Sequence, residues 1–411
     1  MKKGLYFLIA VLLVMGTSTA SASKEKRDKG SKTIPGIEVL LKNQKNLIKG
    51  KRVGLITNPT GVDSKLQSSV DLLNNDPDVK LTALYGPEHG VRGDAQAGEQ
   101  VDSYIDEVTG LPVYSLYGKT KKPTPEMLKN VDVLVFDIQD AGTRFYTYIS
   151  TLSYAMEAAA ENHIPIIVLD RPNPIGGMKV EGPVLDPAYS SFVGRFPIPL
   201  RHGMTMGELA LLFNEEFNIH ADLKVVKMKG WKRSDYFEKT SLSFVMPSPN
   251  MPTADTALVY PGTGLIEGTN VSEGRGTTRP FELLGAPYIN STELAEKLNN
   301  KGLKGLSFRA ASFIPTTSKY TGELCHGIQI YVTDKNKYNS VETGLQIIQS
   351  IHELYPDKFE FLKQDNFGLL IGNSWVKTMI LQGASVKEIE KKYESETNKF
   401  KQVREKYLLY K

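Results

Sequence analysis

Four stretches of this chain are apolar almost without interruption, and each stops at a cluster of polar residues. They are KRVGLITNPTGVD from Lys51, VKLTALYGPEHG from Val79, VDVLVFDIQDAGTRF from Val131 and IPIIVLDRPNPIGG from Ile164. A strand wet on one side alternates apolar with polar residues, whereas a strand covered on both faces does not. Asn58-Pro59 ends the first run, because proline has no N–H for a ladder. Between the third and fourth runs, Ile149, Leu152, Met156 and Ala159 fall three and four apart, one face of a helix. TMGELALLFNEEF opens with Thr205 and Glu208 at capping-box spacing and carries Leu209, Leu212 and Phe213 on one side. Strand, helix, strand in this order predicts an α/β fold: a Rossmann-like doubly wound parallel sheet.

The chain has 411 residues, more than one core usually serves, so two domains are expected. The pattern places the Rossmann-like domain at residues 36–286 and a smaller C-terminal α/β domain at 287–411. The second domain restarts with a helix, the strands SFRAASFIP and GIQIYVTD, and further helices. The last helix begins at Ser385 with Glu388 as its capping box and spaces Val386, Ile389, Tyr393, Phe400, Val403 and Tyr407 along one side. YPGTGLIEGTNVSEGRGTTRPFE, residues 260–282, shows neither period and reads as a functional or a poorly ordered loop.

The first 22 residues have two lysines, an apolar run from Leu5 to Met15 and an A-x-A pattern at Ala20 and Ala22, the marks of a secretory signal peptide. The apolar run is shorter than a membrane span of ~20 residues. A secreted protein with no stable membrane insertion after cleavage is expected, followed by a charged spacer at 23–35. Removing Lys2 and Lys3 lowers the formal charge from +4 to +2, which argues against nucleic acid as the partner. The one cysteine, Cys325, cannot form an intramolecular disulfide. Its neighbour His326 would point to the opposite face of a strand, so the two do not make a nucleophile and base.

Doubly wound sheets bind ligands in the crevice beyond the carboxyl ends of their strands. The polar clusters lie at those ends: Asn58; Glu88, His89 and Arg92; Asp137, Gln139 and Asp140; Asp170, Arg171 and Asn173. No phosphate-binding loop, H-E-x-x-H zinc motif or G-x-S-x-G elbow is present. Carboxylates, arginines and amides remain, and hydrolysis of a glycosidic bond uses such groups, an acid for the leaving oxygen and a second group at the cationic sugar carbon. Glu88 suits the acid role because apolar residues and glycine flank it, and partial desolvation would hold its pKa up. A capping Glu, or one paired with Arg92, is the structural alternative. His89 is either catalytic or bonded to the backbone beside its glycine turn. Asp137 and Asp140 hold sugar hydroxyls or a metal, or cap the next helix. Asp170, Arg171 and Asn173 contact ligand or form an ion pair. Glu267, Asn270, Glu273 and Arg275 share one loop and are candidates for ligand contact and for the second carboxylate. Two other functions fit these residues: a non-catalytic binding protein, and a metal-dependent hydrolase using Asp137, Asp140 and His89.

Taken together, GLITNPTGV, LYGPEHGVRGDAQAGE, DIQDAGTRFYTY, LDRPNPIGG, SPNMPT and GLIEGTNVSEGRGTTRPFE resemble the bacterial exo-β-N-acetylmuramidases of the NamZ type, from about Gly36 to the C-terminus. The resemblance implies a Rossmann-like domain joined to a smaller C-terminal domain, with the site in the cleft between them. It implies a cofactor-free glycosidase that releases N-acetylmuramic acid from the non-reducing end of peptidoglycan fragments. It makes Glu88, the glutamate of G-P-E-H-G, the catalytic residue, and leaves Glu273 and then Glu267 as candidates for the second group. The lactyl carboxylate of that sugar calls for a guanidinium, which Arg92, Arg144, Arg171 or Arg275 offers. Its acetamido group calls for an amide such as Asn58, Gln139, Asn173 or Asn270, and its ring for an aromatic such as Tyr146 or Tyr148. Exo action requires a pocket closed at one end, by the second domain or by the 260–282 loop.

Overall fold

A computed structural model describes residues 32–93, 98 and 102–411. The leader, and the spacer up to residue 31, lie outside the described residues. Seven strands form the main sheet: β1 (Arg52–Thr57), β2 (Lys80–Gly86), β3 (Tyr104–Ile105), β4 (Pro112–Ser115), β5 (Val133–Asp137), β6 (Ile166–Leu169) and, after a ribbon of β7 (Glu181–Val184) and β8 (Pro199–Arg201), β9 (Leu223–Val226). Their order is β3-β4-β2-β1-β5-β6-β9, parallel except at β3. The chain runs outward from β1 in one direction and from β5 in the other, so the topological switch lies between these two strands. The strands are apolar throughout because both faces are covered: Val53 and Leu55 join one apolar cluster and Ile56 the other. Helices α1 (Gly36–Asn43) and α2 (Ser69–Asn74) cover the first face; α3 (Pro125–Leu128), α4 (Tyr148–Glu161) and α5 (Met206–Glu216) cover the second. The capping box of Thr205 and Glu208 is formed at the start of α5.

The remainder contains α6 (Ala254–Thr263), an antiparallel sheet of β10 (Leu283–Ala286), β11 (Leu306–Phe313) and β12 (Cys325–Val332), then α7 (Ser291–Asn299), α8 (Ser340–Leu354), α9 (Asn366–Ile371), α10 (Trp375–Leu381) and α11 (Val386–Arg404). The apolar cluster on the second face of the main sheet continues through Leu284 and Ile328 of this smaller sheet, so the two halves share one core. Cys325 is fully buried on β12 while His326 faces partly outward, as strand alternation requires.

Three details differ from the sequence reading. Strand β10 precedes residue 287, yet it pairs with β12 and so belongs to the smaller sheet. Thr33 and Ile34, assigned by composition to the spacer, bond to the backbone of Thr240 and Lys229. The stretch from Tyr260 opens as the last turn of α6 and a 3-10 turn, Gly264–Gly268, and only residues 269–282 form the expected loop. Its glycines serve close approach: a Cβ on Gly262 would strike the Ser340 carbonyl of α8, and one on Gly344 would strike Gly262.

Candidate active site

Beyond the carboxyl ends of the parallel strands lies a cavity of about 160 Å³ with walls from both halves of the chain. The first half supplies Glu88, His89, Tyr117, Tyr146 and Thr147; the second supplies Tyr260, Glu267, Arg275, Phe281 and Leu370. Two carboxyl groups therefore face one space. A larger apolar groove, about 500 Å³, runs past Leu185, Trp375 and Phe400, but it holds none of the strand-end residues.

Glu88 follows β2 and is half-buried. Its Oε2 accepts from the Thr147 hydroxyl at 2.8 Å and its Oε1 from the Gly98 N–H at 3.0 Å. The Tyr117 hydroxyl is a further neighbour, and its pKa is pushed up to about 12 by burial and by the Glu88 charge. The turn that aims Glu88 is tight. His89 and Gly90 both adopt left-handed backbone, φ +73° and +76°, which a non-glycine residue takes only at a cost. The His89 ring is buried and lines the cavity. Arg92 leaves the site: its Nε and Nη2 bond the two oxygens of Asp106, each at 2.9 Å. The structural alternative for Glu88, an ion pair with Arg92, is thereby removed.

The opposite wall is aromatic. Tyr260 packs edge-on against Phe145, Tyr146 and Phe281 with centroids 5.1, 5.8 and 4.6 Å away. Tyr148 sits behind Tyr146 and donates to the Pro247 carbonyl. Glu267 lies in the 3-10 turn beyond Tyr260, with Arg275 bonded to its Oε1 through Nε, at 3.0 Å, and Nη2. Burial raises the Glu267 carboxyl above the ordinary range and the Glu273 charge adds to this, against Arg275. Glu273, the first candidate for the second carboxylate, is 2 % exposed and lies outside the lining. It is held by Lys319 at 3.0 Å and Arg275 at 3.4 Å.

Several other strand-end residues turn out to brace the frame. Arg171 and Asp137 form a buried ion pair whose second oxygen also takes Ser69. Both Asp137 oxygens are thus occupied, which removes one of the three ligands the metal-dependent alternative needs. No group of three or more His, Cys, Asp or Glu among the described residues has metal-binding geometry. Arg144 is fully buried and donates to the carbonyls of Pro183, Ile198 and Leu370. Asp170 accepts from Gly207 N–H, Thr205 and Tyr410 at the start of α5, a helix-capping role. Asn173 bonds Met204 and Ile175 backbone. Asn270 spends its amide on Lys358, Glu360 and Tyr288. Gln139 donates to the carbonyls of Asp140 and Pro172 beside a void of only about 20 Å³. Asn58 uses its oxygen on Thr60 and turns its amide toward Tyr148. Asp140 accepts from Gly142 N–H at 2.7 Å, and burial pushes its carboxyl up to about 7.

Of the substrate contacts expected from the sequence, the cavity therefore gathers Tyr146 and Arg275. Sequence reasoning missed Tyr117, Thr147, Tyr260, Phe281 and Leu370. Tyr117 stands two residues after β4, so the strand-end rule that picked Glu88 applies to it as well; Leu370, deep in the second half, leaves no such signal.

The N-terminal model of the exo-β-N-acetylmuramidase NamZ matches residues 53–255 and the C-terminal model of the same family matches 258–410. The chain is 62% identical, over the full length of both, to the peptidoglycan β-N-acetylmuramidase NamZ of Bacillus subtilis. Crystal structures of two DUF1343 family proteins from Bacteroides fragilis are also similar. One is 44% identical with a TM-score of 0.87 over 92% of this chain and 99% of that one. The other is 33% identical with a TM-score of 0.76 over 93% and 99%. With both family models spanning nearly all of its described length, this chain belongs to the NamZ family of exo-β-N-acetylmuramidases.

Proposed function

We propose that this protein is an exo-acting glycoside hydrolase that removes N-acetylmuramic acid from the non-reducing end of peptidoglycan fragments, with Glu88 as its general acid. The observation that carries the assignment is the placement of Glu88: half-buried, on the wall of a cavity, and unpaired with Arg92. A carboxylic acid there meets the leaving oxygen of a sugar whose ring lies against Tyr146 and Tyr260. The cavity is smaller than the ~300 Å³ at which sites for drug-sized ligands begin. That volume suits one terminal sugar better than a chain, which is what exo action needs.

The test is release of chromophore from a chromogenic N-acetylmuramic acid glycoside. Glu88→Gln should lower turnover by about 10²- to 10⁴-fold, the usual worth of general acid catalysis, with the melting temperature unchanged. Full activity in the variant would exclude the role, and saturable binding with no release would make the protein a receptor. Turnover should survive chelation, since Asp137 is committed to Arg171. Action outside the cytoplasmic membrane is inferred from the leader-like first 22 residues. Secreted protein should begin immediately after Ala22, which N-terminal sequencing would read directly.

A further inference from the structure

Three of the four arginines that the sequence offers to an anionic sugar are committed elsewhere: Arg92 to Asp106, Arg171 to Asp137, and Arg144 to three backbone carbonyls. Arg275 alone lines the cavity, and it is the one permanent cation in the described lining. It belongs to a group of four charges. Arg275 holds Glu267 and approaches Glu273, and Lys319 holds Glu273. Lys319 also reaches the carbonyls of Ile266, Glu267 and Val271. Glu273 thus has two cations beside it, whereas Arg275 is the one salt-bridge partner of Glu267 among the described residues. Two cations balance two carboxylates.

N-acetylmuramic acid would bring a third carboxylate to this group of charges, and the Glu88 carboxyl on the facing wall supplies no cation to offset it. Three anions on two cations, in a site sheltered from water, are unfavourable unless one becomes neutral. The geometry indicates which. Two of the three guanidinium nitrogens of Arg275, Nε and Nη2, bond the same oxygen of Glu267, so the guanidinium does not make the two parallel bonds to separate oxygens that it favours with a carboxylate. Resting on the reading of this cavity as an N-acetylmuramic acid site, we propose that Arg275 exchanges Glu267 for the lactyl carboxylate of the sugar, and that Glu267 takes up one proton from solvent as the sugar binds.

The surroundings of Glu267 favour that outcome. Glu273 stands beside it on the loop, Glu88, His89 and Tyr260 share the cavity, and Lys319 meets its backbone carbonyl. Helix α9, packed on the same turn, carries no titratable side chain. Those of α8 are engaged elsewhere: Glu342 is close to Glu181, His352 packs on Phe359, and Glu353 pairs with Lys297. On α6, Asp255 pairs with Lys335, which leaves Tyr260 as the titratable group facing Glu267. A neutral Glu267 donates a hydrogen bond and cannot act as the base, so it becomes a specificity residue. A sugar without the lactyl acid offers Arg275 nothing in return for its partner and is discriminated against.

Calorimetric titration of the full protein with N-acetylmuramic acid, in phosphate and in Tris near neutral pH, reads the proton directly. Uptake approaching one proton per sugar is expected, with affinity falling by up to about tenfold per pH unit as pH rises through the range where free Glu267 is ionised. Uptake should vanish in Glu267→Gln and persist in Glu88→Gln, and it should be absent with N-acetylglucosamine. Binding with no proton uptake by the wild type would overturn the exchange, and so would uptake that survives in Glu267→Gln. Should the wild type cleave the chromogenic glycoside yet bind the acid sugar without a proton, the exchange fails and the glycosidase reading stands. Absence of both cleavage and binding would remove the two together.

Discussion

Asp140 and His202 show how much of the chemistry around this cavity is decided by single buried atoms. His202 Nδ1 accepts from the Met204 N–H at 3.2 Å, so its proton sits on Nε2, 3.9 Å from Asp140 Oδ2. Burial, with Arg404, Arg201 and Arg144 close by, pushes the imidazole down to about 3, while burial pushes the Asp140 carboxyl up to about 7. Both residues are therefore neutral in the folded protein over the range where the unfolded chain would charge them. For Asp140 the native state keeps a proton that the unfolded state has lost. Its contribution to stability is thus lost as pH rises from the ordinary aspartate range, about 4, to about 7. Asp140→Asn keeps an acceptor for Gly142 and removes the titration. The variant should gain on the wild type in urea unfolding at pH 8 relative to pH 4, which lie at or beyond the two ends of that window; a pH-independent difference would contradict it. The candidate residues were legible as strand-end residues because the apolar runs that precede them are local signals. Which of them brace and which face the cavity was not, since Arg171 finds Asp137 across 34 positions and Arg144 finds Leu370 across 226.

At the scale of elements, α6 decides the far wall. It carries Tyr260 and leads directly into the turn that holds Glu267. Pro261 and two glycines gave this segment the look of a loop, because proline normally ends a helix and glycine weakens one. Here Pro261 falls in the last turn, and Gly262 lets the α8 backbone approach so closely that no side chain fits between. Propensity reports what a residue does alone; at Gly262 tertiary contact overrides it. Gly262→Ala would force the two helices apart, at a cost of about 1–3 kcal/mol or more from overpacking. The displaced Tyr260 and Glu267 would also misalign the wall. We expect a lower melting temperature together with reduced turnover on the chromogenic glycoside, whereas Ala at the exposed Gly383, where the positive φ of +77° alone is strained and nothing is crowded, should lower the melting temperature and leave turnover intact. By contrast the capping boxes at Thr205 and Ser385 were fully legible, since every atom they need lies within three residues.

At the scale of the molecule, the site exists only because the halves are locked together, and much of the lock is the C-terminal end of the chain. Arg404 of α11 donates to the carbonyls of Gly177, ahead of β7, and of His202 and Gly203, immediately after β8. Five residues on, Leu409 N–H bonds Glu208, and Tyr410 reaches Asp170 at 2.6 Å while its hydroxyl oxygen accepts from Met228 N–H. The helical spacing of α11 predicted an amphipathic element, but nothing in it announced that the tail would fold back against the carboxyl ends of β6 and β9. Asp170 is fully buried, and its carboxyl is pushed up to about 6 by burial, a shift that the Tyr410 hydroxyl opposes. Tyr410→Phe removes that donor and leaves the ring on Trp231, whose centroid is 5.2 Å away. Losing the hydrogen bond to a buried carboxyl should cost about 1.5–3 kcal/mol, and the Met228 N–H, left without its acceptor, adds to the loss. Because Asp170 would then hold its proton to still higher pH, the loss should widen as pH rises through about 6 and shrink in acid. Urea unfolding of the two proteins across that range measures it. A deficit that stayed constant with pH would mean that the Tyr410 hydroxyl acts through the Met228 N–H and not through the charge on Asp170, and no deficit at all would mean that the tail holds the halves through its apolar contacts alone.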